Sequence, residues 1–479
     1  MISHENRRIL AHLGMLVLGI GVLTLTPLLA GLLMPLHWED ALPFLVTGLG
    51  SIVAGWSLWQ GYRLEANGSL SPREAAVIMS VGWLLATVVG GLPFLIGKQL
   101  VIVDSLYEAI SGWTGTGLSM FPTTEPVPPI YLFWRSIMSY LGGAGFAVLM
   151  LSAVIGPQGI GLYQAEARSD HLVPSILDTA RLFMKMYGLY LVVGTILYQL
   201  VGLSLFDAVN HAMTALSAAG FSTHTQGIAF FKSLPVELVT IILMLLGSSN
   251  FSLHYLFYTK RDWRVLKDSE VYALAVVLGL LIPLAYIGIG SLYGDIPRAW
   301  RIATFQAISA STTTGFGTAD LSKWPDISLF ALTLLMITGG GTGGTAGGIK
   351  LSRIAALWQA AVWTVRHRIY GQRVIVRHTV YRQGELKSIS DRELLEAAVI
   401  VFLYVVTFLS GTVIFMIHGV PLAWAGLEFA TALSTVGLSV GITGPSMPLA
   451  LKITQMLGMW LGRLEFIAVM VALSLPRHI

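Results

Sequence analysis

The sequence predicts an all-α integral membrane protein of about ten transmembrane helices and four re-entrant pore half-helices, in a pseudo-fourfold repeat. Two observations predict this fold class. The chain of 479 residues is 55% hydrophobic and only 11% charged, whereas soluble proteins carry about 25% charged residues. Long apolar runs also alternate with four short segments rich in glycine and hydroxyl residues. A chain of this composition cannot cover a surface that faces water, so its solvent is the membrane.

The long apolar runs each suit one crossing of about 20 residues. The first follows Arg7 and Arg8 and is longer than the apolar region of a signal peptide, so we interpret it as a transmembrane helix. The runs lie near residues 9–33, 41–61, 75–97, 129–155, 179–204, 235–258, 270–293, 326–365, 394–418 and 449–475.

The basic residues predict a topology with a cytoplasmic N-terminus. If each short segment enters and leaves the membrane on one side, twenty Lys and Arg residues lie in cytoplasmic loops and five in outer loops. Cytoplasmic loops are enriched in these residues, so charge and hydropathy agree. Cysteine is absent, which excludes disulfides and thiolate metal sites.

The four short segments share one pattern, which defines an internal repeat. They lie near residues 103–119, 206–222, 298–317 and 422–439, each between two long runs. In each, a helix-compatible stretch ends in Ser or Thr, and a glycine follows three residues later. The chain therefore divides into two extra N-terminal helices (1–68) and four pore repeats (69–165, 166–267, 268–370 and 371–479), the fourth preceded by a cytoplasmic loop.

The residues after each half-helix have the chemistry to hold a dehydrated cation. Backbone carbonyls can replace its hydration shell, and irregular backbone is tolerated within a membrane where it lines a water-filled path. Small residues in close helix packing are the alternative for one such segment, but four at matched positions favour a selectivity filter. The predicted filter residues are Thr114, Gly115, Thr116, Gly117, Ser217, Ala218, Ala219, Gly220, Thr312, Thr313, Thr314, Gly315, Ser434, Thr435, Val436 and Gly437.

At these residues the sequence resembles the Trk/Ktr/HKT superfamily of K⁺ transporters, most closely its bacterial TrkH members. The resemblance covers essentially the whole chain, and its filter glycines match Gly117, Gly220, Gly315 and Gly437. It implies K⁺ held by the filter carbonyls, K⁺ preferred over Na⁺, and a location in the bacterial inner membrane. It also implies a homodimer and a cytoplasmic nucleotide-binding regulatory ring of the TrkA type. Gly115 departs from the Thr of many relatives.

A glycine-rich stretch, residues 338–350, interrupts the apolar run 326–365. Each glycine destabilises a helix by about 1 kcal/mol, so we expect two helical halves around a loop. The resemblance implies that this loop lies beneath the filter and gates the pore. The predicted gating residues are Gly339, Gly340, Gly341, Gly343, Gly344, Gly347, Gly348, Lys350 and Arg463.

Arg463 lies within the last apolar run, where an arginine is expected to face the pore or pair with a partner. The resemblance implies the pore-facing position, near the loop. The alternative, which also applies to Lys350, is a side chain that extends to the cytoplasmic interface.

Other functions are disfavoured by the residues. Residues 339–344 match a dinucleotide-binding fingerprint by letters, but no βαβ pattern surrounds them. We expect no cofactor, no nucleic acid and no enzymatic activity, since no catalytic motif is present. The basic loop 366–392 has an alternating stretch, 373–381, that suits a short hairpin, and it either docks a regulatory partner or is simply solvated. An H⁺- or Na⁺-coupled K⁺ symporter remains the alternative to channel-like conduction, with Glu108, Glu428 and Glu465 as its few candidate carboxylates.

Overall fold

The computed structural model describes residues 4–32, 34–64, 70–145, 176–370 and 379–474. Within these ranges the protein is a bundle of helices with one small hairpin. The helices are α1 (His4–Thr24), α2 (Trp38–Tyr62), α3 (Pro72–Ile96), α4 (Ile102–Thr114), α5 (Pro129–Gly143), α6 (Ile176–Leu200), α7 (Leu205–Leu216), α8 (Leu234–Ser248), α9 (Phe251–Lys260), α10 (Ser269–Ile289), α11 (Ile296–Ser311), α12 (Asp326–Thr338), α13 (Leu351–Tyr370), α14 (Asp391–Ile417), α15 (Leu422–Leu433), α16 (Leu449–Arg463) and α17 (Ile467–Leu473).

Several of these helices have the length and composition of membrane spans. Among the described residues, six are long and apolar enough to cross, or eight if each bent pair is one span. Large apolar side chains on α10 are exposed, including Leu280 at 68% and Ile287 at 69%. Exposed apolar side chains in such number are stable against lipid and not against water. The chain is therefore a multi-pass membrane protein.

The two N-terminal helices, α1 and α2, pack closely through glycine. A Cβ added at Gly14 would lie 2.9 Å from the carbonyl oxygen of Gly55, and one at Gly21 would lie 2.8 Å from that of Gly48. Small residues allow helix backbones to approach in this way, and the gain is van der Waals contact. This pair precedes the four repeats.

The four short helices α4, α7, α11 and α15, which we call the half-helices, lie where the internal repeat predicts them. Each is buried along most of its length and is followed by an irregular loop. In repeat 1 the half-helix is held by aromatic packing: Trp113 and Trp134 meet edge to face with centroids 6.0 Å apart. Trp134 also donates from its indole nitrogen to the carbonyl of Gly90 on α3, at 2.9 Å. The half-helix of repeat 1 is thus fixed by the helices that flank it.

Two predicted spans are bent where hydropathy alone indicates a straight crossing. The run 235–258 bends by 98° between α8 and α9, and the run 449–475 bends by 104° between α16 and α17. Asn250 caps α9 by accepting from the backbone of Ser252 at 2.9 Å, which stabilises the first break. The predicted span 129–155 is described only through its first part.

The glycine-rich stretch separates α12 from α13, as its composition predicts. A small hairpin is formed by β1 (Thr379–Arg382) and β2 (Glu385–Ser388), which are antiparallel with Arg382 opposite Glu385. The sequence places a hairpin earlier, at 373–381; residues 373–378 of that prediction lie outside the described residues. Gln383 and Gly384, both with positive φ, make the turn.

Candidate ion-conduction site

The four loops that follow the half-helices close into a ring. In each repeat the predicted filter glycine contacts the next repeat, at the residue just before that repeat's own filter glycine. The glycine lies so close to the carbonyl oxygen of this residue that an added Cβ would overlap the oxygen. The contacts are Gly117 on Ala219, Gly220 on Thr314, Gly315 on Val436 and Gly437 on Thr116. The fourth contact returns to the first repeat. The predicted filter residues therefore surround one axis, in chain order.

The backbone of the loops repeats as well. The second filter position is left-handed in every repeat, with φ of 71° at Gly115, 54° at Ala218 and 53° at both Thr313 and Thr435. A left-handed residue with a Cβ costs roughly 1–2 kcal/mol. Ala218, Thr313 and Thr435 carry this conformational cost, whereas Gly115 adopts the same conformation without it. The glycine that departs from the family pattern thus removes a backbone strain at this position.

One backbone hydrogen bond recurs at the end of each half-helix. The N–H of the third filter position donates to a carbonyl five residues earlier. The distances are 2.8 Å for Thr116 to Ser111, 3.0 Å for Ala219 to Thr214, 2.9 Å for Thr314 to Ser309 and 2.8 Å for Val436 to Thr431. The bond ties each loop to its helix, whose C-terminal end carries partial negative charge. The arrangement can stabilise a cation on the axis.

A polar side chain lies behind the filter in each repeat, six residues before the first filter position. These residues are Glu108, His211, Gln306 and Glu428, and all are fully buried. Glu108 pairs with Arg135, with 2.8 Å between Oε1 and Nε. Glu428 accepts from the backbone of Val440 at 2.8 Å and from Thr443 at 2.6 Å. Both carboxylates are engaged in fastening the loops.

The glycine-rich loop contacts three of the four repeats. Thr345 donates from Oγ1 to the carbonyls of Leu216 (2.9 Å) and Gly247 (3.0 Å). The N–H of Gly347 donates to Oγ1 of Thr313 at 2.8 Å, within the filter of repeat 3. A Cβ on Gly347 would overlap the carbonyl of Ser434 in repeat 4. The loop thus lies directly against the filter.

The other predicted gating glycines shape this loop. Three have left-handed φ: Gly339 (70°), Gly343 (80°) and Gly348 (77°). Three others pack near the carbonyl of Ser248 at the end of α8, where a Cβ would be crowded: Gly340, Gly341 and Gly344. Lys350 is buried and donates from Nζ to the carbonyl of Ala346, so it fastens the loop internally.

Arg463 bridges the loop to repeat 1. Its guanidinium donates to the carbonyls of Gly142 and Gly143 at the end of α5, and at 3.3 Å to that of Thr345 in the loop. Its Cζ lies 5.5 Å from the ring centroid of Trp83. The side chain is therefore directed into the helix bundle, towards these backbone carbonyls. Glu465 pairs with Arg353 on α13.

Two carboxylates that the sequence analysis did not single out connect the loop to the hairpin of β1 and β2. Glu270 accepts from the backbone of Thr342 in the loop at 2.9 Å. Asp268 accepts from the backbone of Glu270 at 2.9 Å and from that of Gln383 in the hairpin turn at 2.8 Å. Both are buried. An acidic helix start, Asp268 to Glu270 before an apolar run, is the sequence signal that could have indicated them.

Comparison with known proteins identifies relatives along nearly the whole chain. The TrkH family model, described as a cation transport protein, matches residues 51–285 and 290–478. An uncharacterized cation transporter of Methanocaldococcus jannaschii is 30% identical over 97% of this chain and 94% of its own. The Trk system potassium uptake protein TrkG of Escherichia coli is 30% identical over 90% of both chains. The crystal structure of the potassium transporter TrkH from Vibrio parahaemolyticus superposes with a TM-score of 0.84 at 24% identity, covering 98% of each chain, which shows a shared fold. The family resemblance expected from the filter glycines is confirmed.

Proposed function

Because the chain belongs to the TrkH family of cation transport proteins, we propose that it is a K⁺ uptake subunit that conducts K⁺ through the four-loop ring. The observation that carries the proposal is the closure of the ring: each filter glycine meets a carbonyl of the next repeat. Relatives named as potassium uptake proteins support the choice of ion.

The proposed filter works by replacing water with backbone oxygens. A ring of four carbonyls at one level supplies the oxygens that a dehydrated K⁺ requires. Because each glycine abuts a carbonyl of its neighbour, a side chain there would displace that oxygen and change the coordination. The proposal assigns the selectivity to Gly117, Gly220, Gly315 and Gly437 with the filter residues before them, and K⁺ to their carbonyls.

The proposed gate is the glycine-rich loop. Its contacts with Leu216, Thr313 and Ser434 support a position across the inner side of the ring, where Arg463 would add a fixed positive charge. A cation that leaves the filter therefore meets an obstruction that has to move. The many glycines make the loop able to do so at low conformational cost.

Regulation is proposed to reach the loop from the cytoplasm. We assign the N-terminus, the hairpin and the end of α13 to the cytoplasmic face of the bacterial inner membrane, with ten crossings and four re-entrant half-helices in all. A TrkA-like nucleotide-binding ring would dock at this face, and the subunit would pair as a homodimer. The chain of contacts from Gln383 through Asp268 and Glu270 to Thr342 supplies a path to the gate.

Channel-like conduction is preferred to H⁺- or Na⁺-coupled symport. A proton relay needs carboxylates that can exchange protons along the path. Glu108 is held by Arg135, Glu428 by several donors and Glu465 by Arg353, so each has a fastening role instead. K⁺ flux would then follow the membrane potential and the K⁺ gradient alone.

The test is ion flux in liposomes with K⁺ or Na⁺ gradients and a clamped potential. Gly117→Ser should lower the K⁺/Na⁺ permeability ratio, because its Cβ would overlap the carbonyl of Ala219. Gly115→Thr should change the ratio less, since a Cβ there would lie 3.5 Å from the nearest atom, the carbonyl oxygen of Ser217. Gly50→Ser, on α2 with no atom within 4 Å of the added Cβ, is the control for expression and insertion.

Two different outcomes would refute the filter assignment and the channel-like conduction. A normally inserted Gly117→Ser protein with the wild-type ratio refutes the filter assignment. Net K⁺ movement against its own electrochemical gradient, driven by an H⁺ or Na⁺ gradient, refutes channel-like conduction and favours symport.

A further inference from the structure

Three of the four repeats fasten the strand that leaves the filter in the same way. The polar side chain behind the filter bonds to the hydroxyl of a serine two residues after the filter glycine. The pairs are Glu108 with Ser119 at 3.0 Å, His211 with Ser222 at 2.9 Å and Glu428 with Ser439 at 2.5 Å.

The same serine oxygen also accepts from the backbone N–H two residues further on. The distances are 3.1 Å to Phe121, 3.0 Å to His224 and 2.9 Å to Gly441. One hydroxyl therefore connects a half-helix side chain to the outer strand of its filter loop. The connection fixes the strand that begins at the filter glycine.

Repeat 3 keeps the buried side chain and lacks the serine. Gln306 occupies the position behind the filter and is fully buried, but within the described part of the chain neither its Oε1 nor its Nε2 has a hydrogen-bond partner. Gly317 stands where the other repeats have serine. A buried amide without partners is costly, and native proteins satisfy such groups with protein or with ordered water.

The space beside Gly317 is open and polar. A Cβ added there would lie 3.9 Å from Nε2 of Gln306 and 3.8 Å from the carbonyl oxygen of Ala319, and Gly317 does not have left-handed φ. Neither sterics nor backbone conformation therefore requires a glycine. A buried water typically makes about three hydrogen bonds to otherwise unsatisfied groups, and the amide and the backbone around Gly317 supply such groups.

We propose that an ordered water molecule takes the place of the missing serine hydroxyl and joins Gln306 to the outer filter strand of repeat 3. Gln306 and Gly317 are then positioning residues, which act on the filter through the strand after Gly315. A water-mediated connection can change its length more readily than a direct one. Repeat 3 is also one of the repeats that the glycine-rich loop contacts, since Thr313 accepts from the N–H of Gly347.

The water itself is tested by cryo-electron microscopy of the wild type and of Gly317→Ser in nanodiscs, at a resolution that shows buried waters. We expect density within hydrogen-bond distance of Gln306 in the wild type, replaced by the serine hydroxyl in the variant. A wild-type map that shows other buried waters and none beside Gln306 overturns the proposal.

The positioning role is tested by K⁺/Na⁺ permeability ratios. This part rests on the proposed filter, whereas the density does not. Gly317→Ser should shift the ratio relative to the matched Gly317→Ala by up to about fivefold, the equilibrium effect of one hydrogen bond. The difference between the two variants should vanish when Gln306→Leu is also present.

A ratio that is equal in Gly317→Ser and Gly317→Ala, or a difference that persists with Gln306→Leu, refutes the positioning role. Failure of the filter assignment would instead appear as a wild-type ratio in Gly117→Ser.

Discussion

Replacing Arg463 by glutamine should raise K⁺ flux and leave selectivity unchanged. The guanidinium holds the gating loop by donating to the carbonyl of Thr345 and is anchored on the carbonyls of Gly142 and Gly143. Arg463→Gln removes the charge and the forked donor together, so the loop loses a tie to repeat 1. None of these three contacts involves a predicted filter residue, which is why the K⁺/Na⁺ permeability ratio should not change.

Two effects set the size of the increase. A hydrogen bond to a charged donor contributes about 1.5–3 kcal/mol, and the 3.3 Å distance to Thr345 favours the lower end. About 1.5 kcal/mol corresponds to roughly tenfold in the open population of the loop. The charge adds a barrier: at about 6 Å and an effective dielectric constant near 20, Coulomb's law gives roughly 3 kcal/mol. We therefore expect K⁺ flux to rise about tenfold from the loop alone, and up to about a thousandfold if the charge also faces the ion, since the two energies add to about 4.5 kcal/mol.

Liposome flux at a clamped potential measures the increase, and Arg463→Lys separates its two causes. Lysine keeps the charge but loses the forked donor. If the charge dominates, the K⁺ flux of Arg463→Lys should be close to that of the wild type. If the loop contact dominates, its flux should be close to that of Arg463→Gln. A normally inserted Arg463→Gln protein with wild-type flux would refute the reasoning. So would a changed K⁺/Na⁺ ratio, since it would place Arg463 in the filter.

Three further predictions concern the loop and its surroundings. Deleting part of Gly339–Gly348 should raise K⁺ flux, because the loop obstructs the inner side of the ring; an inserted deletion variant with lower flux would favour a structural hinge. Glu270→Ala should weaken the loop's tie to α10 and raise basal flux, whereas Glu270→Gln, which keeps an acceptor for Thr342, should change it less; equal effects of the two would contradict this tie. In the loop between α4 and α5, hydrogen bonds from Thr225 lower the pKa of Glu125 from 4.5 to about 2. Its stabilising contribution is therefore complete above about pH 4.5 and is lost as the pH falls towards 2. The difference in melting temperature between wild type and Glu125→Gln should be constant from pH 7 to 5 and shrink below, and a constant difference down to pH 3 would contradict it.

The fold class and the repeat could be predicted from the sequence because they depend on local signals. Hydropathy predicts helices in membrane, since every backbone polar group there must be satisfied within the segment. The matched glycines predict four equivalent loops, and the run of glycines predicts the break between α12 and α13. Hydropathy could not predict the bends at Ser249 and Glu465, because it reports how apolar a run is and not the direction of its backbone.

The tertiary structure alone decided which groups meet. Gly117 faces Ala219 across a gap of about a hundred residues in the chain, and no spacing rule predicts which repeat lies next to which. The same holds for Arg463, which meets Thr345 and not the nearby Glu465, and for Glu270, whose partner Thr342 is distant in sequence. A sequence specifies the kinds of group that a membrane will tolerate, through burial and hydrogen-bond satisfaction. Their pairing depends on how the four repeats pack around one axis, which is a property of the assembled chain.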